Sequence, residues 1–342
     1  TSPSTDNQQF ITAINDQFAF IQSRNNLSLY QFTKLSQLLV VDRYSSMDKA
    51  IPYKQGVGLA RKIAADIATA IINLNGIQSG WIHCSDADAT LPKTYFSAAA
   101  TNSPTNTAAL VYPFKHRRIE NTDNNVNIQR ATELYEQRLS QYKNGLQYAN
   151  SPYAFYTLGS TLCLSSYHYA VVRGFPKRNA AEDFYILNKL QKSGGVYELS
   201  APEITLQSRL SSRTPFGTGA AVADITDSDS LAKQEIFYHP ILFILLKILL
   251  QWFDKITLQH SEEKLEQWSE SLQKQLQISA EKAGNKTTGQ FIILAEQPAI
   301  NALRQLGFSQ CLKHCQTHCD EEALFQRHIH EWFDAFRTLK WI

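Results

Sequence analysis

Hydrophobic positions along the first two thirds of the chain alternate between two periods. Phe10, Ile14, Phe18 and Ile21 recur at roughly helical spacing, which predicts a helix over residues 8–23. "QLLVVD", 37–42, is instead a continuous apolar run closed by an acid, the pattern of a strand buried in a parallel sheet. In "GVGLARKIAADIATAIINL", 56–74, two glycines open a stretch where Leu59, Ile63, Ile67 and Ile71 line one helical face. "SGWIHCSDADA", 79–89, reads as a strand running into paired acids, and "AALVYPF", 108–114, as another strand. "IQRATELYEQRLSQY", 128–142, is an amphipathic helix. Strands alternating with helices predict an α/β fold whose Rossmann-like sheet is mainly parallel and flanked by helices. In such sheets ligands gather at the carboxyl ends of the strands, which is where Asp42 and Asp86 stand.

The pattern changes after "FGTGAAV", 216–222. Helical periodicity takes over, as in Leu265, Trp268, Leu272 and Leu276, with "FIILA", 291–295, as the one strand-like run. The expected organisation is an α/β domain over 1–224 and a mainly helical extension over 225–342. The most apolar window, "IFYHPILFILLKILLQWF", 236–253, is interrupted by His239, Pro240 and Lys247 and is too short for a membrane span. A buried helix is its first reading and a helix on a membrane surface its second.

Composition narrows the classes. A chain of 342 residues, 43% hydrophobic and 19% charged, can bury a substantial core and is not globally disordered. A net charge of +2 without a basic stripe gives no reason to expect nucleic acid as a partner. Five unevenly placed cysteines make no disulfide framework, so a reducing, cytoplasmic setting is expected, with peripheral membrane contact left open. The chain opens on "TSPSTDNQQ", with neither a signal-peptide pattern nor an initiator Met, and an upstream segment is expected to have been removed or left out.

Four stretches carry candidate chemistry. Asp86 and Asp88 flank one small residue just past a strand, where two carboxylates can share a hard divalent cation with substrate phosphates; a solvated acidic loop is the plain alternative. Glu182-Asp183 opens an amphipathic run, either as ordinary acids at a helix N-terminus or as a general base. Arg209 and Arg213 adjoin a glycine-containing loop suited to phosphate oxygens, or are surface arginines on a turn. Cys311, Cys315 and Cys319 repeat every four residues beside His314 and His318. That spacing is not the paired-knuckle pattern of structural zinc, and a buried helical face explains it more simply.

Taken in order, "GVGLARKIAADIA", "WIHCSDADATLP", "GFPKRNAAEDFYILNKL" and "RTPFGTG" resemble a bacterial family 2 glycosyltransferase of the GT-A fold, over about residues 8–222. The resemblance implies an inverting enzyme that moves a sugar from a UDP- or GDP-linked donor to the hydroxyl of a carbohydrate or lipid-linked acceptor. Asp42 would face the nucleotide, and Arg61 would lie near the donor. Asp86 and Asp88 would hold Mn²⁺ or Mg²⁺, Asp88 most directly, and Asp183 would be the catalytic base. Arg209 and Arg213 would contact the diphosphate or acceptor. "RLSSRTPF" is not the Q-x-x-R-W motif of processive synthases, which disfavours long-polymer synthesis. The resemblance starts at the helix that follows the family's opening strand, so that strand is expected to be missing here. An acceptor pocket is expected over 150–176, where most of the aromatics serve as core.

Two other readings compete. "DADAT", 86–90, also fits the D-x-D-x-T of haloacid-dehalogenase-type phosphatases, with Asp86 as nucleophile and Asp88 as acid, though Asp224 and Asp227 make a poor later acidic pair. The third reading is a glycosyltransferase-like domain used for binding alone.

Overall fold

The structure, a computed structural model, describes residues 5–46, 49–52, 54–101, 103–117, 123–208, 218–227, 237–258 and 267–342. It is a mixed α/β molecule with three small sheets among the described residues.

The N-terminal helix α1 (Thr5–Gln17) ends earlier than the predicted 8–23. Residues Ala19–Arg24 form strand β1, which pairs antiparallel with β2 (Leu27–Thr33), and β2 pairs antiparallel with β3 (Ser36–Val41). Asn25, in the left-handed region at φ 56°, starts the two-residue turn between Arg24 and Leu27 that makes this pairing local. Phe18 and Ile21 match a helical period over too few turns to resist it. "QLLVV" is therefore a strand of an antiparallel meander, only half-buried, and not a strand of a parallel sheet.

The central sheet has the order β4 (Trp81–His83), β7 (Leu162–Ser165), β5 (Ala109–Val111), β8 (Val196–Glu198). β7 runs antiparallel to both β4 and β5, and β5–β8 is parallel. A parallel pair, β6 (Phe114–Arg117) with β9 (Ile204–Gln207), forms the third sheet. The expected mainly parallel sheet is thus corrected to sheets of mixed orientation. A continuous apolar run reports burial on both faces, and β7, with Leu162, Cys163 and Leu164 all fully buried, shows that an antiparallel strand can carry one too.

Period-two alternation builds the two core layers. Ala109, Val111, Leu162 and Leu164 face α2 (Gly56–Asn73) and α6 (Glu182–Ser193), packing with Ala65, Ile186, Leu187 and Leu190. Leu110, Tyr112 and Cys163 point the other way, onto Tyr95, Ala98 and Ala99 of α3 (Tyr95–Thr101) and Ile204 of β9. Each large apolar side chain buried this completely contributes about 1.5–3 kcal/mol.

Among the described residues the remaining α-helices are α4 (Asp123–Tyr148), α5 (Ser166–Val171), α7 (Thr218–Asp227), α8 (Ile241–Phe253), α9 (Trp268–Glu281), α10 (Lys286–Gln305), α11 (Phe308–His318), α12 (Glu322–Trp332) and α13 (Ala335–Trp341). The apolar window becomes α8, whose Phe243, Leu246, Leu249, Trp252 and Phe253 lie inside the core of the helical region. No helix among the described residues is long and apolar enough to cross a membrane. "FIILA" is not a strand: it lies within α10, where Ile292, Ala299, Ile300 and Leu303 repeat on one buried face. The start of α10 is set by Asn285, whose side chain accepts the Thr288 N–H at 2.7 Å.

The helical region grips the sheet through α6. Asp334 caps α13 by accepting the Arg337 N–H, and its carboxylate also takes Lys192 Nζ at 2.9 Å and Asn188 Nδ2 at 3.1 Å from α6. Asn188 Oδ1 returns the contact by accepting the Ala335 N–H at 2.9 Å. The opposite end of α6 carries Glu182 and Asp183.

Candidate functional site

Two glycines position the first side chain. The Gly58 N–H donates to the Arg178 carbonyl at 2.8 Å, and a Cβ there would lie 2.4 Å from the Pro176 carbonyl oxygen. Gly56, at φ +33°, is held equally close to Asn179. The start of α2 can therefore lie directly against the 176–179 loop, and Arg61, one turn further on, reaches inward. Its Nε donates to Glu182 Oε1 at 2.9 Å and its Nη2 to Asp86 Oδ1 at 2.5 Å. The guanidinium side chain is 11% exposed and that of Glu182 5%, whereas Asp86 opens to solvent at 47%. Gly159 backs the guanidinium, and a Cβ at that position would stand 2.6 Å from Nη2.

Asp183 adjoins this cluster at the first turn of α6. Its Oδ1 accepts the Phe184 N–H at 2.7 Å. Burial, reinforced by the negative charge of Glu182, pushes its carboxyl up to about 7. The residue before α6, Ala181, is left-handed at φ 59° although it is not glycine. Such a backbone costs on the order of 1–3 kcal/mol and tends to collect at functional sites.

Asp86 follows β4 in a turn closed by the Ala89 N–H on the Asp86 carbonyl at 3.1 Å, with Asp88 half-buried inside it. Thr90 and Thr205 exchange backbone hydrogen bonds and fasten this loop to β9. Beneath it, Tyr95 Oη donates to the Cys84 carbonyl at 3.1 Å, and His83 packs among Tyr95, Phe96 and Tyr112. Burial drives the His83 imidazole down to about 4, so it stays neutral at pH 7 and serves the floor of the site.

Arg61, Asp86 and Asp183 are thus brought together, with Asp88 in the same turn as Asp86. Asp42 is not joined to them. Its carboxylate takes the Tyr44 and Ser45 N–H groups at 3.2 and 3.0 Å, the Ser45 hydroxyl, and Lys49 Nζ at 2.9 Å. Partial burial pushes its carboxyl upward, but these donors outweigh it and hold the group well below the usual carboxylate range. Asp42 therefore builds a local turn on the antiparallel meander. Arg209 and Arg213 lie outside the described residues.

Glu182 reads in the sequence, with Asp183, as a helix-opening acid or a general base, but nothing there pairs it with Arg61, 121 positions away. Gly159 sits in "TLGST" with nothing to distinguish it from a turn glycine.

Asp86, exposed, and Asp88, half-buried, are two carboxylates of one turn, and Asp86 Oδ1 is already taken by Arg61. They do not form a ready-made cage. The group of three candidate metal ligands gathered among the described residues is a different one, Cys315, Cys319 and His328. No protein-family model matches the chain, no curated protein matches it, and no solved structure matches it.

Proposed function

We propose that the chain is an inverting glycosyltransferase, which moves a sugar from a UDP- or GDP-linked donor to an acceptor hydroxyl. The observation that carries this reading is the Arg61 bridge. Arg61 ties Asp86, on the loop after β4, to Glu182, at the head of α6, and so gathers in one cluster three sequence motifs that are otherwise far apart.

In the reaction, the acceptor oxygen attacks the anomeric carbon, the carbon–oxygen bond to the diphosphate breaks, and Asp183 receives the hydroxyl proton. A base whose carboxyl sits at about 7 is half ionised at neutral pH, which suits it to take up a proton there. Arg61 holds Asp86 and Glu182 in place. A Mn²⁺ or Mg²⁺ ion held by Asp88 and Asp86 would supply positive charge to the departing diphosphate. The haloacid-dehalogenase alternative is weaker, because it leaves Asp183 and its raised carboxyl without a task.

Release of UDP or GDP from a panel of nucleotide-sugars tests the reading. We expect turnover of at least one donor and a loss of about 10²–10⁴-fold in Asp183→Asn. Full activity in a folded Asp183→Asn variant would remove the proposed base and the mechanism with it.

A further inference from the structure

A second cluster lies in the helical region, untouched by the sugar-transfer reading. Cys311 and Cys315 stand four residues apart on α11, and Cys319 caps the helix, its N–H donating to the Cys315 carbonyl at 2.8 Å. That spacing keeps the three side chains on one face. The chain then turns back into α12, which returns His328 to the same face, with Cys319 Sγ 3.4 Å from His328 Nδ1. The ligating atoms of Cys315, Cys319 and His328 all lie within 4.8 Å of one another. All five cysteines of the chain are free.

These dimensions match a specific ion. Tetrahedral Zn²⁺, with Zn–S about 2.3 Å and Zn–N about 2.0–2.1 Å, separates its sulfur and nitrogen ligands by about 3.5–3.8 Å. The Cys319–His328 pair, at 3.4 Å, is close to this spacing, and the other pairs need to close by about 1.3 Å at most. Thiolate and imidazole select zinc over the hard cations that suit Asp86 and Asp88. Cysteines serving only as small apolar fillers explain the buried face of α11. They do not explain why a second helix aims an imidazole nitrogen at the thiols. Cys315 and Cys319 are buried while His328 is half-buried, so an ion has a way in from the α12 side.

We propose that Cys315, Cys319 and His328 bind Zn²⁺, with Cys311 nearest the fourth position, and that the ion pins α11 to α12. Binding to the folded state alone stabilises it, so zinc raises the melting temperature.

The test uses the full chain, stripped with chelator, reloaded with zinc and passed through gel filtration before metal analysis. We expect about one zinc per chain in wild type and in Asp88→Ala, and at least a tenfold loss in Cys315→Ala and His328→Ala, with folding checked by circular dichroism. Cobalt substitution of wild type should give the visible bands of tetrahedral thiolate coordination, a readout that needs no variant to fold. A wild-type chain that takes up neither metal overturns the proposal. So does a folded Cys315→Ala variant that keeps its zinc, or loss of the zinc in Asp88→Ala.

Discussion

Individual side chains around Arg61 make the sharpest predictions. Arg61→Ala leaves Glu182, 5% exposed, as an unpaired buried carboxylate, and removing one partner of such a pair costs about 3–5 kcal/mol. Urea denaturation should show that loss, and Arg61→Lys should restore only part of it, because an ammonium cannot reach two carboxylates as a planar fork does. Asp183 behaves differently, since folding raises its carboxyl and so favours the protonated form. Its contribution to stability is complete below the unfolded value of about 4 and is lost as the pH rises through about 7. Melting temperatures taken at pH 5 and pH 8 should therefore diverge less in Asp183→Asn than in wild type, and at pH 8 the variant should be at least as stable as wild type. Activity should move the opposite way, rising with pH through about 7 as the base ionises. A pH–rate profile flat across that range contradicts Asp183 as the base.

Elements show where hydrophobic patterning informs and where it stops. Leu164, fully buried in the antiparallel centre of the sheet, should cost about 2–5 kcal/mol when cut to alanine, while Leu35, 99% exposed in the β2–β3 turn, should cost almost nothing. Asn285→Ala should cost about 1 kcal/mol through loss of the α10 cap. Helices of several turns, such as α2 and α4, are legible because many residues repeat one period, and the start of α6 is legible from its acids. Strand direction is not, because burial on both faces looks the same in parallel and antiparallel partners; hence the misreading of 37–42 and of the central sheet. Short runs fail for a related reason. Five apolar residues at 291–295 fit a strand or a helix, and only the neighbouring cap and the longer period select α10. Of the candidate site, Asp86 and the Glu182-Asp183 pair stand out as local motifs, Arg61 enters only through the resemblance, and the contacts that join Arg61 to Asp86, Glu182 and Gly159 link residues distant in sequence, which local motifs do not encode. The approach of His328 to Cys319 is illegible for the same reason, since His328 comes from α12, outside the cysteine repeat.

At the scale of the whole molecule, α6 links the site to the helical region, with Glu182 and Asp183 at one end and Asn188 and Lys192 clasped to Asp334 further along. Asp334→Ala removes a helix cap and leaves the buried Asn188 amide without its acceptor, so denaturant midpoints should fall by the equivalent of about 2–4 kcal/mol. The proposed sugar transfer requires recognition of a nucleotide diphosphate at the Arg61–Asp86–Glu182 cluster. Calorimetric titration of the chain with UDP and with GDP, each with and without Mn²⁺, tests this most directly. The account predicts metal-dependent binding of one nucleotide, abolished in Asp88→Ala and weakened in Arg61→Ala. Failure of both nucleotides to bind in the presence of Mn²⁺, or binding indifferent to the metal and to Asp88, would contradict it.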